Sequence, residues 1–262
     1  MYLLGRTQMI EGASYEEIIC RLMAKGFDGV EIGIYDKNFK LCPDFFSDTF
    51  PQRVKEILRK TNAKAWSVGA HMDYVTDDNA FLAVQKTIPV AALIGAGAVI
   101  ITGAVDDGNP DNYEKLYNLQ VERAKQLCET AEKHGIVLAV EFEPGFVIDN
   151  TDKLLRFIDD VGSDALKINL DIGHVFLQDD RPLEAIAKCG NKIVHVHIEN
   201  MEKDRHNHLV PYEGDMDLAA YFKQLLKAGF DGTASLDLYQ YDYESVAGKS
   251  LFFIRNILKE NG

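Results

Sequence analysis

Basic residues are scarce in this chain: 28 Lys and Arg stand against 41 Asp and Glu, a formal net charge of −13. Nucleic acid is therefore an unfavourable partner, because affinity for a phosphate backbone rests largely on cations that neutralise it. Cysteine is thin as well. Cys20, Cys42, Cys128 and Cys189 lie far apart without a CxxC pair, which argues against a zinc ribbon or a disulfide framework and leaves reduced core thiols. The seven prolines are scattered, and no Ser/Gly linker, low-complexity block or charged tail divides the 262 residues, so one domain over 1–262 is expected. No apolar run is long enough for a membrane span. The longest, IPVAALIGAGAVIIT, is short and Gly-rich, and MYLLGRTQMI lacks the cationic start and apolar core of a signal peptide. The expectation is a cytoplasmic protein without a membrane partner; a homo-oligomer stays open.

What is present is a regular alternation of two periodicities. A short strand at Tyr2 to Gly5 precedes a Ser14-capped segment, SYEEIICRLMAKG, whose Ile18, Ile19, Leu22 and Met23 form one apolar stripe. Strand-like GVEIGI, AWSVGAH, AVIITGA, VLAVEFE, LKINLDIG, IVHVHIEN and TASLDLY follow, each separated from the next by a helix-like segment. Eight strands and eight helices in this length predict an α/β fold, a (β/α)8 TIM barrel. A GFDG echo, in AKGFDGVEI and KAGFDGTASLDL, puts Gly26 and Gly229 where a helix ends in left-handed backbone; generic helix-to-strand loop chemistry explains it equally well.

Four of these strands end in residues that bind metals: Glu141, Asp171, His197 and Asp237. Parallel strands in a barrel converge at their C-terminal ends, so ligands far apart in sequence become neighbours, and this set predicts one divalent ion. Side chains alternate along a strand, so Glu141 shares a face with Glu143, Asn169 with Asp171, and His195 with His197. His195, deeper in its strand, reads as a hydrogen-bonded core histidine. His174, in the loop after Asp171, and His71, closing AWSVGAH, are candidates for contact with substrate; Glu31 is left undecided. The loop ENMEKDRHNHLVPYEGDMD gathers Asp204, Arg205, His206 and His208, either a solvated loop or part of the mouth.

These motifs, Glu141 in VEFEP, Asp171 and His174 in LDIGH, His197 in HVHIEN and Asp237 in SLDLY, resemble the sugar phosphate isomerase/epimerase superfamily, the xylose-isomerase-like barrels that include D-tagatose 3-epimerase, inosose dehydratases and endonuclease IV. The resemblance implies a one-metal centre. Two departures stand out: the family's epimerases usually carry Glu where this chain has Asp237, and Glu141-Phe142-Glu143-Pro144 replaces a motif that often continues with Asn. The endonuclease branch is echoed by His71, His174 and the Asp204-Arg205-His206 run, but AVIITGA lacks the histidine that branch needs.

The expected activity is that of a metal-dependent isomerase or epimerase of a small sugar or related polyhydroxy carbonyl compound. The ion would be Mn²⁺, Mg²⁺ or Co²⁺ rather than structural zinc, since three carboxylates and one imidazole leave positions for substrate oxygens. It would stabilise the enediolate formed when the α-proton leaves, with Glu141 and Asp237 moving that proton and Glu143 in reserve. His71, Glu143, His174, Arg205, His206 and His208 would bind substrate. A dehydratase acting on a keto-inositol or keto-sugar would begin with the same step; an endonuclease-like phosphodiesterase and a non-catalytic sugar-binding barrel are the remaining alternatives.

Overall fold

The computed structural model describes residues 1–261. Eight strands, β1 (Tyr2–Arg6), β2 (Gly29–Gly33), β3 (Ala65–Ala70), β4 (Ala98–Ile101), β5 (Val137–Val140), β6 (Leu166–Asp171), β7 (Ile193–Ile198) and β8 (Thr233–Leu236), pair in parallel and in sequence order, with β8 returning to β1 to close the barrel. Closure removes every sheet edge, and both faces of the strands are buried, which is why they read as near-continuous apolar runs. Around them lie α1 (Tyr15–Ala24), α2 (Phe50–Thr61), α3 (Asp78–Ile94), α4 (Pro110–His134), α5 (Thr151–Val161), α6 (Ile172–Gln178), α7 (Pro182–Cys189), α8 (Leu218–Lys227) and α9 (Tyr243–Asn261).

Nine helices among the described residues exceed the expected eight by α6. Seven residues are too few to display a helical period, so LDIGHVF reads as the end of a strand and a loop. Of the cysteines, Cys128 and Cys189 are buried as expected, whereas Cys20 is exposed and Cys42 half-buried; Cys20 lies on the solvent side of α1. Among the described residues, no helix is long and apolar enough to cross a membrane.

The GFDG echo marks a real structural correspondence. Gly26 and Gly229 follow the ends of α1 and α8 with φ of +92° and +85°, the left-handed turn that only glycine adopts without strain. Each is followed by a buried phenylalanine, Phe27 or Phe230, that anchors the chain as it enters a strand.

The main apolar core lies between strands and helices, whereas the barrel interior is polar towards the mouth. Inward positions that usually carry branched apolar side chains here carry Glu31, Ser67, Asn169, His195 and Ser235, all at most 1% exposed. Strand register sets Asn169 opposite His195, Asp171 opposite His197, and His197 opposite Ser235, so polar residues from three strands form adjoining layers.

Local signals act as predicted in α1, where Ser14 caps the Glu17 amide and the Glu17 carboxylate answers the Ser14 amide. Ser14→Ala should lower unfolding free energy by about 1 kcal/mol in urea denaturation; a change near zero would mean that packing of α1 alone sets its start.

Candidate metal centre

The mouth of the barrel is organised by Glu31, at the centre of β2. Its Oε1 lies 2.9 Å from Arg6 Nε, and its Oε2 accepts from the Ser235 hydroxyl at 2.7 Å and faces His195 Nε2 at 3.0 Å and His197 Nε2 at 3.2 Å. His195 also pairs through Nδ1 with the Thr233 hydroxyl at 2.6 Å, so it is the hydrogen-bonded core histidine expected of its depth. Glu31 fixes the neighbouring ring differently. A His197 Nε2–H donating to Glu31 turns the Nδ1 lone pair towards the mouth, the arrangement by which a carboxylate orients a ligating imidazole.

His197 Nδ1 lies 3.0 Å from Glu141 Oε2 and 3.8 Å from Asp237 Oδ2. Glu141 Oε2 also accepts from Asn169 Nδ2 and meets His71 Nε2 at 3.0 Å, while His71 Nδ1 pairs with the Tyr35 hydroxyl at 2.5 Å. Asp171 closes β6 and caps α6, its Oδ1 accepting from the His174 amide at 2.8 Å; its Oδ2 is buried without a hydrogen-bond partner. Asp237 directly follows β8, and its Oδ1 is paired with Arg6 Nη1.

The four predicted ligands thus reach one region, in two adjoining groups. Glu141 and His197 gather with His71; Asp171 and Asp237 gather with Glu199 and His208. His197 and Asp237 join the groups on one side, and on the other His174 Nδ1 stands 3.7 Å from carboxylate oxygens of both Glu141 and Asp171.

Sequence reading missed three participants. Arg6 ends β1 almost fully buried, and a lone charge closing a short strand gives no hint of burial. Glu199 is also buried: its Oε1 accepts from the Gly173 amide at 2.7 Å, and its Oε2 has no hydrogen-bond partner. The alternation His195, His197, Glu199 was the available signal. Tyr239 supplies an aromatic wall, its ring 5.5 Å from that of His208.

The remaining candidates divide. His174 lies in the first turn of α6 rather than in a loop, because Asp171 caps that helix directly. Its Nδ1 faces the Phe142 carbonyl at 2.8 Å, and its Nε2 lies 2.9 Å from His206 Nε2, which in turn is 3.0 Å from His208 Nε2. Glu143, His206 and His208 line the same cavity as Arg6, His71, Glu141 and Asp237. Arg205 does not reach it: its side chain is 72% exposed and pairs with Glu202. Asp204 is exposed in a left-handed turn at φ +63° and takes no part in the histidine group.

Charge dominates this region. Burial disfavours ionisation of every carboxylate here, yet Arg6 and His197 hold Glu31 well below its usual range, and His197 and His71 do the same for Glu141. Asp237 is also lowered, with burial outweighed by Arg6 and His208. Burial and neighbouring carboxylates act together elsewhere: Asp171 is pushed up to about 6, and Glu143 and Glu199 well above the ordinary range. Burial opposes the His197 charge, but Glu141 and Glu31 raise it; burial and two adjacent histidines lower His206 to about 4.

A closed parallel barrel with acidic and imidazole groups gathered at its C-terminal mouth defines the class. The chain belongs to the xylose isomerase-like TIM barrel family, which matches residues 21–257. It is 26% identical over 254 residues to fructoselysine 3-epimerase of Shigella flexneri, covering 90% of both chains, and 21% identical over 250 residues to inosose dehydratase of Clostridium perfringens, covering 84% of this chain and 80% of that one. A match to D-psicose 3-epimerase of Enterocloster bolteae, 28% over 120 residues, spans 45% of this chain and 38% of the relative. Two solved structures share the fold: a D-tagatose 3-epimerase-like protein (TM-score 0.84, 20% identity, 99% and 97% of the two chains) and the IOLI protein with a binding zinc atom (TM-score 0.80, 18% identity, 99% and 97%).

Arg6 is the one guanidinium between Glu31 and Asp237, and removing it strands buried charge. Arg6→Met should cost about 3–5 kcal/mol of unfolding free energy in EDTA, and Arg6→Lys less. Urea titrations of both variants check this; equal, small losses would show that the ion pairs contribute no net stability.

Proposed function

We propose that the chain is a divalent-metal-dependent isomerase or epimerase of a small sugar or related polyhydroxy carbonyl compound. The observation that carries the reading is the surplus of buried carboxylate oxygens: Asp171 Oδ2 and Glu199 Oε2 face neighbouring acids with no donor, in a region whose one guanidinium is already shared between Glu31 and Asp237. Buried polar atoms without partners are costly, and a bound cation would supply what these lack. The donor set of carboxylate oxygens and one imidazole nitrogen fits Mn²⁺, Mg²⁺ or Co²⁺, with Glu141, Asp171, His197 and Asp237 as the residues that would hold it. When bound, such an ion supplies Lewis-acid stabilisation for negative charge developing on a substrate oxygen.

The protein's own groups divide the proton work. The lowered pKa values of Glu141 and Asp237 favour the ionised form that accepts a proton; that of Glu143, on the cavity wall, is raised, which favours the form that donates one. Opposed shifts of this kind are how one site keeps an acid and a base together at neutral pH. His71, His206 and His208 supply ring nitrogens along the same wall to orient hydroxyls, with His174 buried behind them against His206. Arg205 plays no part.

A dehydratase is the second reading, favoured by the similarity to inosose dehydratase over most of both chains. It shares the first proton abstraction and differs in expelling a β-hydroxyl, so product analysis separates the two. Nuclease chemistry is not supported: Thr102 and Gly103 follow β4 with no histidine, and Gly103 lies against the Gln120 side chain.

Metal binding should depend on pH through Asp171. Its folded-state pKa of about 6 exceeds its ordinary 3.8, so the folded protein holds extra protons between those values and acidification there relieves the cost of the buried charge. An ion requires the ionised form, so protons compete with it. The rise in Tm caused by Mn²⁺ should therefore shrink as pH falls from about 7 to about 5, and Asp171→Asn should abolish most of it. A Mn²⁺ shift that ignores both changes removes Asp171 from the ligand set.

Asp237→Asn keeps the shape but cannot accept a proton, so turnover at saturating Mn²⁺ should fall at least about a hundredfold. Reaction in D₂O should place deuterium at the reacting carbon. If Asp237→Asn stays near the wild-type rate while Glu143→Gln is inactive, the proton transfer belongs to the residues after β5. Substrate turnover without any solvent deuterium would reject the proton-abstraction mechanism in favour of hydride transfer.

A further inference from the structure

The cavity over the acidic cluster, about 240 Å³, does not stand alone. Across Phe39, His71 and Glu143 it adjoins a groove of about 410 Å³ between the chain segments that follow β3, β4 and β5. From the geometry we infer that the substrate is a ketose or related carbonyl sugar bearing an uncharged or cationic arm, not a phosphate, with the sugar over the cluster and the arm in this groove. This rests on the carbohydrate reading above and narrows it.

Two properties of the groove carry the inference. Its walls are built, and they carry an apolar side: Val105 and Phe146 form an antiparallel bridge, with Asp106 N donating to Gly145 O and Val147 N to Ala104 O, both at 3.0 Å, and Met72 and Phe39 complete that side. Val105 is 60% exposed and Phe39 53%, an apolar rim beside a polar reaction site. Ligand sites of this sort combine apolar walls with few polar groups, and a free hexose would leave the groove empty.

Its charge is also one-sided. Asp73 and Asp77 line it and no Lys or Arg does, so a phosphate would meet repulsion without a counter-ion, whereas an amine would be attracted. Phe39 stands on the boundary between the compartments. It holds φ +58°, a conformation costly for a side chain with a Cβ, fixed by a turn in which its amide donates to Asp36 O at 2.9 Å, and it stacks between Tyr35 and Tyr239 with ring centroids 5.2 and 5.8 Å away. That side chain lines both compartments.

Calorimetry at saturating Mn²⁺ tests this with three series: free ketohexoses, their phosphate esters, and the same sugars carrying an aminoalkyl arm. The arm-bearing sugars should bind at least about tenfold tighter than the free ones, and the esters no tighter than the free ones. Val105→Lys, an exposed change that adds positive charge to the rim, should bring the ratio of arm-bearing to free affinity close to one. Equal binding of free and arm-bearing sugars by the wild type, tighter binding of the esters, or an undiminished ratio in Val105→Lys overturns the groove assignment while leaving the metal-dependent reading intact. Absence of binding in all three series overturns both.

Discussion

Buried negative charge is the constraint from which this barrel's mouth follows. Glu31, Glu141, Asp171, Glu199 and Asp237 are each at most 3% exposed, within one polar region facing a single buried guanidinium. Desolvating an ion is expensive, so such a group persists only if each charge is paired, protonated or bound to a metal. The first two operate here, and the third has orphaned oxygens to act on. Arg6 pairs with Glu31 and Asp237; protonation is favoured at Glu143 and Glu199; and the oxygens that remain orphaned on Asp171 and Glu199 are those a cation would satisfy.

The same constraint explains why the supporting residues are so particular. His197 can turn Nδ1 to the mouth only because Glu31 takes Nε2, and Glu31 can stay ionised there only because Arg6 and the Ser235 hydroxyl meet its oxygens. On the opposite side, Asp171 starts α6, and Gly173 must be glycine: a Cβ there would meet Met201 Cε at 2.4 Å and Glu199 Oε1 at 2.5 Å. The DIGH segment therefore does three things in four residues. It ends the strand with a carboxylate, lets Glu199 reach a backbone amide, and sets His174 against His206, which lines the cavity.

The barrel was legible in the sequence because buried parallel strands are contiguous apolar runs and the helices between them keep a 3.6-residue stripe. The convergence of the four strand-end residues was legible for the same reason: the C-terminal ends of buried parallel strands meet at the mouth. Legibility failed where direction matters more than residue type. Arg205 stood out in a polar loop and Arg6 did not, yet Arg6 is pinned between two strands' carboxylates and Arg205 turns out to Glu202. Glu31 was undecidable because its role depends on partners from β1, β7 and β8, which no local pattern reveals. Helix α6 was hidden by its length, and with it the true position of His174.

Asp237 gathers these points into one consequence for chemistry. Glutamate is usual at this position among the family's epimerases; aspartate is shorter by one methylene and holds its carboxylate closer to the strand. Arg6 extends from the end of β1, the neighbouring strand, and occupies Oδ1, so the carboxylate has one oxygen bound to a fixed charge and Oδ2 turned towards His197 and His208. A carboxylate fixed in this way is well oriented but weakly basic, because Arg6 stabilises its ionised form. Orientation thus has to compensate for lost basicity, and any proton that Asp237 accepts is passed on readily. Glu143, on the same cavity wall, is shifted the other way by burial and its acidic neighbours. Arg6 therefore sets the two carboxylates apart: Asp237 is pinned and lowered by the guanidinium, and Glu143 of the Glu-Phe-Glu-Pro segment is raised.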